Sequence, residues 1–108
     1  PTVAATAEPG RLLLTISGAE NTWIRGVLLE CPPSGPGQHP DPPGACADLA
    51  AADGDLDALR GDPHPCTLEY APVVATADGT FRGRRISWRK EFASACRLDA
   101  VNGRLHRF

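Results

Sequence analysis

Five short stretches of this chain carry the apolar, β-compatible pattern that is typical of strands: residues 12–17, 27–31, 73–77, 81–92 and 105–108. The intervening segments hold Gly, Asn and Asp, which favour turns. We expect a hairpin connection in residues 18–26, a hairpin turn at Asp78-Gly79 and a last turn at Asn102-Gly103.

The clearest alternation lies in residues 81–92. One parity holds Ile86, Trp88 and Phe92, and the other holds Arg85, Ser87 and Arg89. A period of two indicates a half-buried antiparallel strand.

Two segments favour helix instead. Residues 45–52 are rich in Ala, the best helix former, and residues 55–60 have Asp55 as N-cap and Gly61 just past their end. Residues 32–44 contain six prolines and three glycines, so they predict an irregular surface loop. The pattern as a whole predicts an α+β fold, a five-stranded antiparallel sheet with one or two short helices.

The length of 108 residues suits one domain with a modest core. Residues 1–10 predict a loose, flexible N-terminal arm and residues 11–108 a single domain. The chain begins at Pro1, without a signal-peptide pattern, and we interpret it as a mature or trimmed form. A net charge of −2 argues against a protein devoted to nucleic acid. No apolar run is long enough to predict a membrane span.

Four cysteines stand at positions 31, 46, 66 and 96, with no C-x-x-C spacing. An even count in a short, Pro-rich chain predicts two disulfides and a secreted, extracellular protein. Four cysteines allow three pairings, and local closure favours Cys31 with Cys46 and Cys66 with Cys96.

The sequence predicts no enzyme, cofactor or metal site. His39, His64 and His106 lie outside any metal-binding spacing, and a cysteine in a disulfide could not join His64 as a ligand. Asp53, Asp55 and Asp57 imitate the start of a calcium loop, but Ala58 and His64 stand where that loop needs Gly and Glu, so helix capping explains these carboxylates better. No G-x-S-x-G motif occurs.

Residues 82–90 hold five basic side chains beside Trp88. One interpretation is a secreted binding module for nucleic acid or another non-protease ligand, with Trp88 as a stacking platform. The alternative, which the net acidity favours, is a strand with a charged outer face that discourages edge pairing.

The segment 61–72 (GDPHPCTLEYAP) is unusual for a plain connection. Three prolines restrict it, a cysteine tethers it, and Leu68 and Tyr70 lie near its middle. If these side chains are exposed, they suggest a partner protein; if they are buried, they form a short strand in the core. The pattern does not choose between the two.

Several neighbourhoods resemble the Streptomyces subtilisin inhibitor family. They are CPPSGPGQHP from Cys31, ACADLA from Ala45 and GDLDAL from Gly54, followed by Cys66-x-x-x-Tyr70-x-Pro72-Val73, Asp78-Gly79, Gly83-x-Arg85, Phe92-x-x-x-Cys96 and the terminal Phe108. The resemblance covers residues 11–108.

The resemblance implies the disulfides Cys31–Cys46 and Cys66–Cys96, five antiparallel strands with two short helices, and a homodimer packed through its sheets. It implies inhibition of an extracellular, subtilisin-like serine protease, and also of chymotrypsin-like enzymes, through a reactive-site bond Leu68–Glu69. The protease would contact Pro63, His64, Pro65, Cys66, Thr67, Tyr70, Ala71 and Pro72. Many members have Pro where this chain has Thr67. Some also restrain a zinc metalloprotease, for which residues 32–44 are a candidate loop.

Overall fold

The computed structural model describes residues 10–18, 23–32, 38–68 and 70–108. The prediction of a flexible arm at residues 1–10 therefore lies outside the described residues, apart from Gly10, which begins the first strand.

The described residues contain four strands, β1 (Gly10–Gly18), β2 (Ile24–Cys31), β3 (Val73–Phe81) and β4 (Arg84–Phe92). They form one antiparallel sheet in the order β2-β1-β3-β4. The Gly18 amide donates to the Trp23 carbonyl at 3.0 Å and closes the β1–β2 connection. This connection is shorter than predicted, because β2 begins at Ile24 and not at Val27.

Alternation along the strands places the core on one face of the sheet. On β1, Leu12, Leu14 and Ile16 are buried, and on β4, Ile86 and Phe92 are buried while Arg85, Ser87 and Arg89 are exposed. The predicted orientation of residues 81–92 is therefore confirmed.

The predicted turn at Asp78-Gly79 is wrong, because β3 runs straight through it to Phe81. Gly79 instead allows a close approach between strands: a Cβ there would lie 1.8 Å from the Arg11 carbonyl oxygen. The β3–β4 hairpin turns at Arg82-Gly83, where both residues have positive φ, 53° and 78°. Two positive φ values are what a tight two-residue hairpin needs.

Helix α1 (Pro42–Ala51) begins three residues before the predicted start at residue 45. Prolines are accepted in the first turn of a helix, and the Asp41 carboxylate caps the turn by accepting from the Gly44 amide at 3.2 Å. The irregular loop predicted for residues 32–44 thus ends at Asp41. The helical segment predicted for 55–60 is a 3₁₀ turn, Leu56–Ala58, with Asp55 as its N-cap.

The prediction of a fifth strand at residues 105–108 is also wrong. The chain after β4 forms helix α2 (Ala95–Asn102), with Ser94 as N-cap, and then a 3₁₀ turn, Gly103–His106. The predicted turn at Asn102-Gly103 is the end of α2, where Gly103 has φ +60°. The fold is α+β with two α-helices, as the resemblance implied.

The C-terminal segment, residues 95–108, covers the sheet and contributes buried Leu98 and Leu105 to the core. Buried His106 donates through Nε2 to the Thr76 carbonyl at 3.0 Å and accepts through Nδ1 from the Asn102 amide at 2.9 Å. These partners require the neutral ring, and burial lowers the pKa of His106 to about 4. Neither α-helix of the described chain has the length and apolar character needed to cross a bilayer.

Candidate functional site

The segment 61–72, hereafter the loop, leads from the 3₁₀ turn at Leu56–Ala58 towards β3. Its described residues, 61–68 and 70–72, are neither helix nor strand. Pro63, Pro65 and Pro72 fix their own φ angles, so the backbone has fewer conformations to lose when it binds. Glu69 lies outside the described residues.

The two apolar side chains near the middle of the loop point into solvent. Leu68 has a relative accessibility of 102%, and Tyr70 is 76% exposed. They are not part of a core strand, so the second alternative from the sequence does not hold. Exposure of large apolar side chains on a constrained loop gives no folding benefit, and it is typical of a surface that binds a partner.

The N-terminal leg of the loop rests on the end of α2. The Asp62 amide donates to the Ala100 carbonyl at 3.1 Å. Gly61 has φ +69°, and a Cβ there would lie 2.3 Å from the Val101 carbonyl oxygen. Only glycine allows this conformation and this approach without strain.

Two further links hold the loop on either side of Leu68. The Cys66–Cys96 disulfide joins it to the first turn of α2, and the Ala71 amide donates to the Ala93 carbonyl at 3.0 Å. Cys31 pairs with Cys46, so both disulfides implied by the resemblance are present. The loop therefore has a covalent anchor two residues before Leu68 and a backbone anchor three residues after it.

Charged groups form a network beside the same leg. The Arg107 guanidinium donates to both oxygens of Asp99, through Nε at 2.6 Å and Nη2 at 3.1 Å, and also to Asp62 Oδ2 at 3.0 Å. His64 Nε2 lies 2.8 Å from Asp99 Oδ2, and His64 Nδ1 lies 3.2 Å from the Pro65 carbonyl oxygen.

This network shifts the titration of its members. The Pro65 carbonyl and then the Asp99 carboxylate raise the pKa of His64 above its ordinary value of 6.5. Hydrogen bonds from Arg107, and secondarily from His64, lower the pKa of Asp99. The carboxylates of Asp99 and Asp62 raise the pKa of Arg107.

His64 also lies close to sulfur, since its Nδ1 is 4.0 Å from Cys66 Sγ and 3.8 Å from Cys96 Sγ. Both sulfurs belong to the disulfide and cannot act as thiolate ligands, so this group is no metal site. The three aspartates of the apparent calcium loop have separate partners. Asp53 contacts Arg82 and Arg84, Asp55 caps the 3₁₀ turn, and Asp57 accepts from Trp88 Nε1 at 3.1 Å.

The basic segment 82–90 lacks the stacking platform that the nucleic-acid interpretation requires. Trp88 is half-buried, its ring lies 5.7 Å from that of His106, and its indole nitrogen donates to Asp57. Arg82 and Arg84 both contact Asp53, while Arg85 and Arg89 are exposed on the outer face of the sheet. This arrangement favours the charged outer face over a nucleic-acid groove.

Residues 33–37, the centre of the second candidate loop, lie outside the described residues. Its end is described: His39 is buried, accepts from the Asp41 amide at 3.0 Å and donates to the Leu105 carbonyl at 2.8 Å. Inhibition of a metalloprotease through residues 32–44 stays a prediction.

Sequence reasoning found the loop but missed its supports. No local motif marks Asp99, Arg107 or Ala93, because they support the loop from positions far along the chain. Gly61 was recognised only as the residue past a helix end. Its positive φ and its contact with Val101 depend on how α2 packs.

An exposed apolar side chain on a loop anchored on both sides is typical of proteins that present a fixed segment to a partner. The comparisons with known proteins agree with this class. The chain matches the subtilisin inhibitor-like family over residues 8–94. It therefore belongs to the subtilisin inhibitor-like family.

Curated relatives are similar along nearly the whole chain. "Subtilisin inhibitor-like protein 2" of Streptomyces rochei is 43% identical, and the match covers 97% of each chain. The "Subtilase-type protease inhibitor" of Streptomyces coelicolor is 41% identical over 97% of this chain and 76% of that protein. Among solved structures, Streptomyces caespitosus sermetstatin in complex with Bacillus licheniformis subtilisin superposes with a TM-score of 0.67. It is 29% identical, and the match covers 92% of this chain and 96% of that one.

Proposed function

We propose that this protein inhibits subtilisin-like serine proteases by presenting the loop 61–72 as a substrate that is released very slowly. The observation that carries the proposal is the full exposure of Leu68 on a backbone anchored on both sides. The similarity to sermetstatin, solved with subtilisin, supports the choice of partner.

Leu68 is the side chain that enters the S1 pocket of the protease. Burying a leucine contributes about 1.5–3 kcal/mol, and this gain is available because the Leu68 side chain is fully exposed in the free protein. A branched aliphatic side chain suits the broad apolar pocket of subtilisin-like and chymotrypsin-like enzymes. It does not suit trypsin, whose S1 pocket carries an acidic group.

The backbone around Leu68 supplies the rest of the recognition. Residues 65–67 pair with the enzyme as an added strand, and the Leu68 carbonyl points at its oxyanion hole. Glu69, Tyr70 and Ala71 occupy the leaving-group side. Because prolines and anchors restrict the loop beforehand, binding costs less conformational entropy than it does for a flexible peptide.

The anchors also explain how the Leu68–Glu69 bond would survive. If the protease cuts it, the disulfide at Cys66 holds one new end and the Ala71–Ala93 hydrogen bond and β3 hold the other. The new amine stays beside the acyl-enzyme and attacks it again, so resynthesis competes with hydrolysis.

Titration of subtilisin with the protein tests the proposal. We expect stoichiometric loss of protease activity, with Kd in the nanomolar range or below, typical of preorganised inhibitors. No loss of activity at micromolar protein would contradict it.

A change of specificity tests the role of Leu68. We expect Leu68→Lys to weaken subtilisin inhibition and to create trypsin inhibition, because the acidic pocket of trypsin pairs with an ammonium group. Ile24→Lys is the matched control, since Ile24 is 74% exposed on the edge strand β2, which β1 separates from β3. If both variants behave alike towards trypsin, the binding site lies elsewhere.

We also propose a homodimer that packs through the outer face of the sheet. Among the described elements, the helices and 3₁₀ turns cover the other face, and Leu13 is 48% exposed on this one. Sedimentation should give twice the monomer mass for the natural chain and the monomer mass for Leu13→Asp. Monomers at all concentrations would exclude this dimer.

The two disulfides support a secreted protein, because such bonds persist in oxidising compartments. Immunodetection in the culture medium of the producing cells, and not in washed cells, is the expected outcome.

A further inference from the structure

His64 occupies an unusual place in the loop, because each of its ring nitrogens faces a hydrogen-bond acceptor. Nε2 faces the Asp99 carboxylate at 2.8 Å and Nδ1 faces the Pro65 carbonyl at 3.2 Å. A neutral imidazole carries one N–H and can satisfy only one of them. The charged imidazolium satisfies both.

The charged groups described around His64 come from the loop and from the C-terminal segment. Asp99 faces it from α2, Asp62 lies on its own leg of the loop, and Arg107 of the C-terminal segment binds both carboxylates. The uncharged Cys66–Cys96 disulfide also lies close to the ring. The carboxylates favour the charged ring, and Arg107 fixes Asp99 in position to accept from it.

Pro65 lies three residues before Leu68, on the stretch that pairs with the protease in the proposed function. A hydrogen bond from His64 to the Pro65 carbonyl sets the direction of that peptide group. The chain of contacts from Arg107 through Asp99 and His64 to Pro65 therefore links the C-terminal segment to the binding stretch.

We propose that His64, Asp99 and Arg107 form a proton-dependent clasp that positions the loop for protease binding, so that inhibition is tighter when His64 is charged. The inference rests on the proposed function. His64, Asp99 and Arg107 are positioning residues, and Leu68 remains the residue that fills the pocket.

The direction of the pH dependence follows from the geometry. The folded protein raises the pKa of His64, so the clasp is complete below the ordinary value of 6.5 and is lost as the pH rises through the raised value. Above it, the neutral ring keeps one hydrogen bond at most, and the Pro65 peptide is freer to turn.

The experiment compares the natural chain with Asp99→Asn, because Asp99 lies on α2, outside the loop that meets the protease. The inhibition constant for subtilisin is measured for both between about pH 5.5 and 9, across the range in which histidine titrates. The titration of the protease affects both inhibition constants equally, so it drops out of their ratio at each pH. We expect Asp99→Asn to be about two- to fivefold weaker at the acid end, the range of an exposed ion pair, and about equal at the alkaline end.

Two matched variants separate the clasp from general charge effects. Asp78→Asn removes an exposed carboxylate at the other end of β3, and its ratio should stay near one at every pH. Arg107→Ala should reproduce the Asp99→Asn profile, because it removes the group that fixes Asp99.

A second measurement needs no protease. In an NMR titration, His64 should show a pKa above 6.5 in the natural chain and a lower one in Asp99→Asn. A ratio of inhibition constants that does not change with pH, or a His64 titration insensitive to Asp99→Asn, would overturn the clasp while leaving the proposed function intact. Absence of inhibition by the natural chain at every pH would overturn the proposed function, and the inference with it.

Discussion

The loop 61–72 and the C-terminal segment 95–108 lie side by side, yet they treat their apolar side chains in opposite ways. In the loop, Leu68 is fully exposed and Tyr70 is largely exposed. In the C-terminal segment, Leu98 and Leu105 are buried beneath the sheet. The described residues of the loop are neither helix nor strand, whereas the C-terminal segment has a helix and a 3₁₀ turn.

The difference shows how a surface loop can keep one shape without a core of its own. The supports of its N-terminal leg come from the C-terminal segment: Cys96, Asp99, Ala100, Val101 and Arg107. The C-terminal segment is itself fixed by burial. Hydrophobic packing in the C-terminal segment thus makes the loop rigid, and in the proposed function the loop uses that rigidity for binding.

The sharpest test makes the same substitution in both regions. Leu105 is fully buried, so Leu105→Ala should lower the free energy of unfolding by about 2–5 kcal/mol through lost transfer energy and a cavity. Leu68→Ala should change it by less than about 0.5 kcal/mol and should weaken subtilisin inhibition instead. Urea unfolding and inhibition assays on both variants measure the two effects, and a stability loss in Leu68→Ala would show that the loop does have packing contacts.

The second test removes the covalent link between the regions. The double substitution Cys66→Ser and Cys96→Ser should lower the free energy of unfolding by about 3–4 kcal/mol, because the unfolded chain gains entropy. Subtilisin should then cleave the loop during the assay, because the new chain end that Cys66 held is free to leave. The control is Cys31→Ala with Cys46→Ala, which loses a disulfide in the core cluster and leaves the loop anchors in place. Mass spectrometry follows cleavage, and equal cleavage of both paired variants would contradict the role of the loop disulfide.

The third test uses His106, whose pKa is shifted in the opposite direction to that of His64. His106 has its pKa lowered to about 4, so it stabilises the fold above its ordinary value of 6.5 and loses that contribution as the pH falls through about 4. The linked loss is up to about 3 kcal/mol. Thermal unfolding between pH 7 and 3, compared with His106→Gln, measures it. A variant with the same acid dependence as the natural chain would assign the effect to other groups.

The smallest expected effects on stability come from alanine substitutions at two glycines. They distinguish the cost of a steric contact from the cost of an unfavourable backbone conformation. Gly61 and Gly83 both have positive φ, but a Cβ at Gly83 would meet no atom within 4 Å, whereas at Gly61 it would strike the Val101 carbonyl. Gly83→Ala should lower the free energy of unfolding by about 1 kcal/mol, from the backbone conformation alone. Gly61→Ala should lower it by about 2 kcal/mol or more, because the contact adds to the conformational cost. Only Gly61→Ala should also weaken inhibition, and equal effects of both variants would mean that the contact with α2 does not position the loop.

The sequence predicted most of the sheet because alternation is local. Ile86, Trp88 and Phe92 were placed on the inward parity from spacing alone. The helix at residues 42–51 was found, but its start was missed, since the prolines at 42 and 43 were interpreted as breakers and not as first-turn residues. The Asp78-Gly79 pair has the composition of a turn, yet cross-strand packing against Arg11 and Leu12 keeps it in β3.

The sequence also predicted some features of the candidate site and left others undecided. Prolines, the cysteine and the two apolar residues marked the loop. Local closure favoured the disulfide pairing, the resemblance implied the same pairing, and the resemblance alone gave the position of the bond. Neither could decide whether Leu68 was exposed, because an apolar side chain between prolines fits a core strand as well as a surface loop.

The sequence by itself determined the fold class, the strand faces, the loop and its family, because these depend on neighbours in the chain. The tertiary structure decided that residues 95–108 form a helix and a 3₁₀ turn in place of a fifth strand. It also decided that Leu68 faces solvent and that Asp99 and Arg107 reach His64. These features depend on contacts between residues far apart in the chain, such as Asp62 and Arg107, which are 45 positions apart, and a local sequence pattern does not reveal such partners.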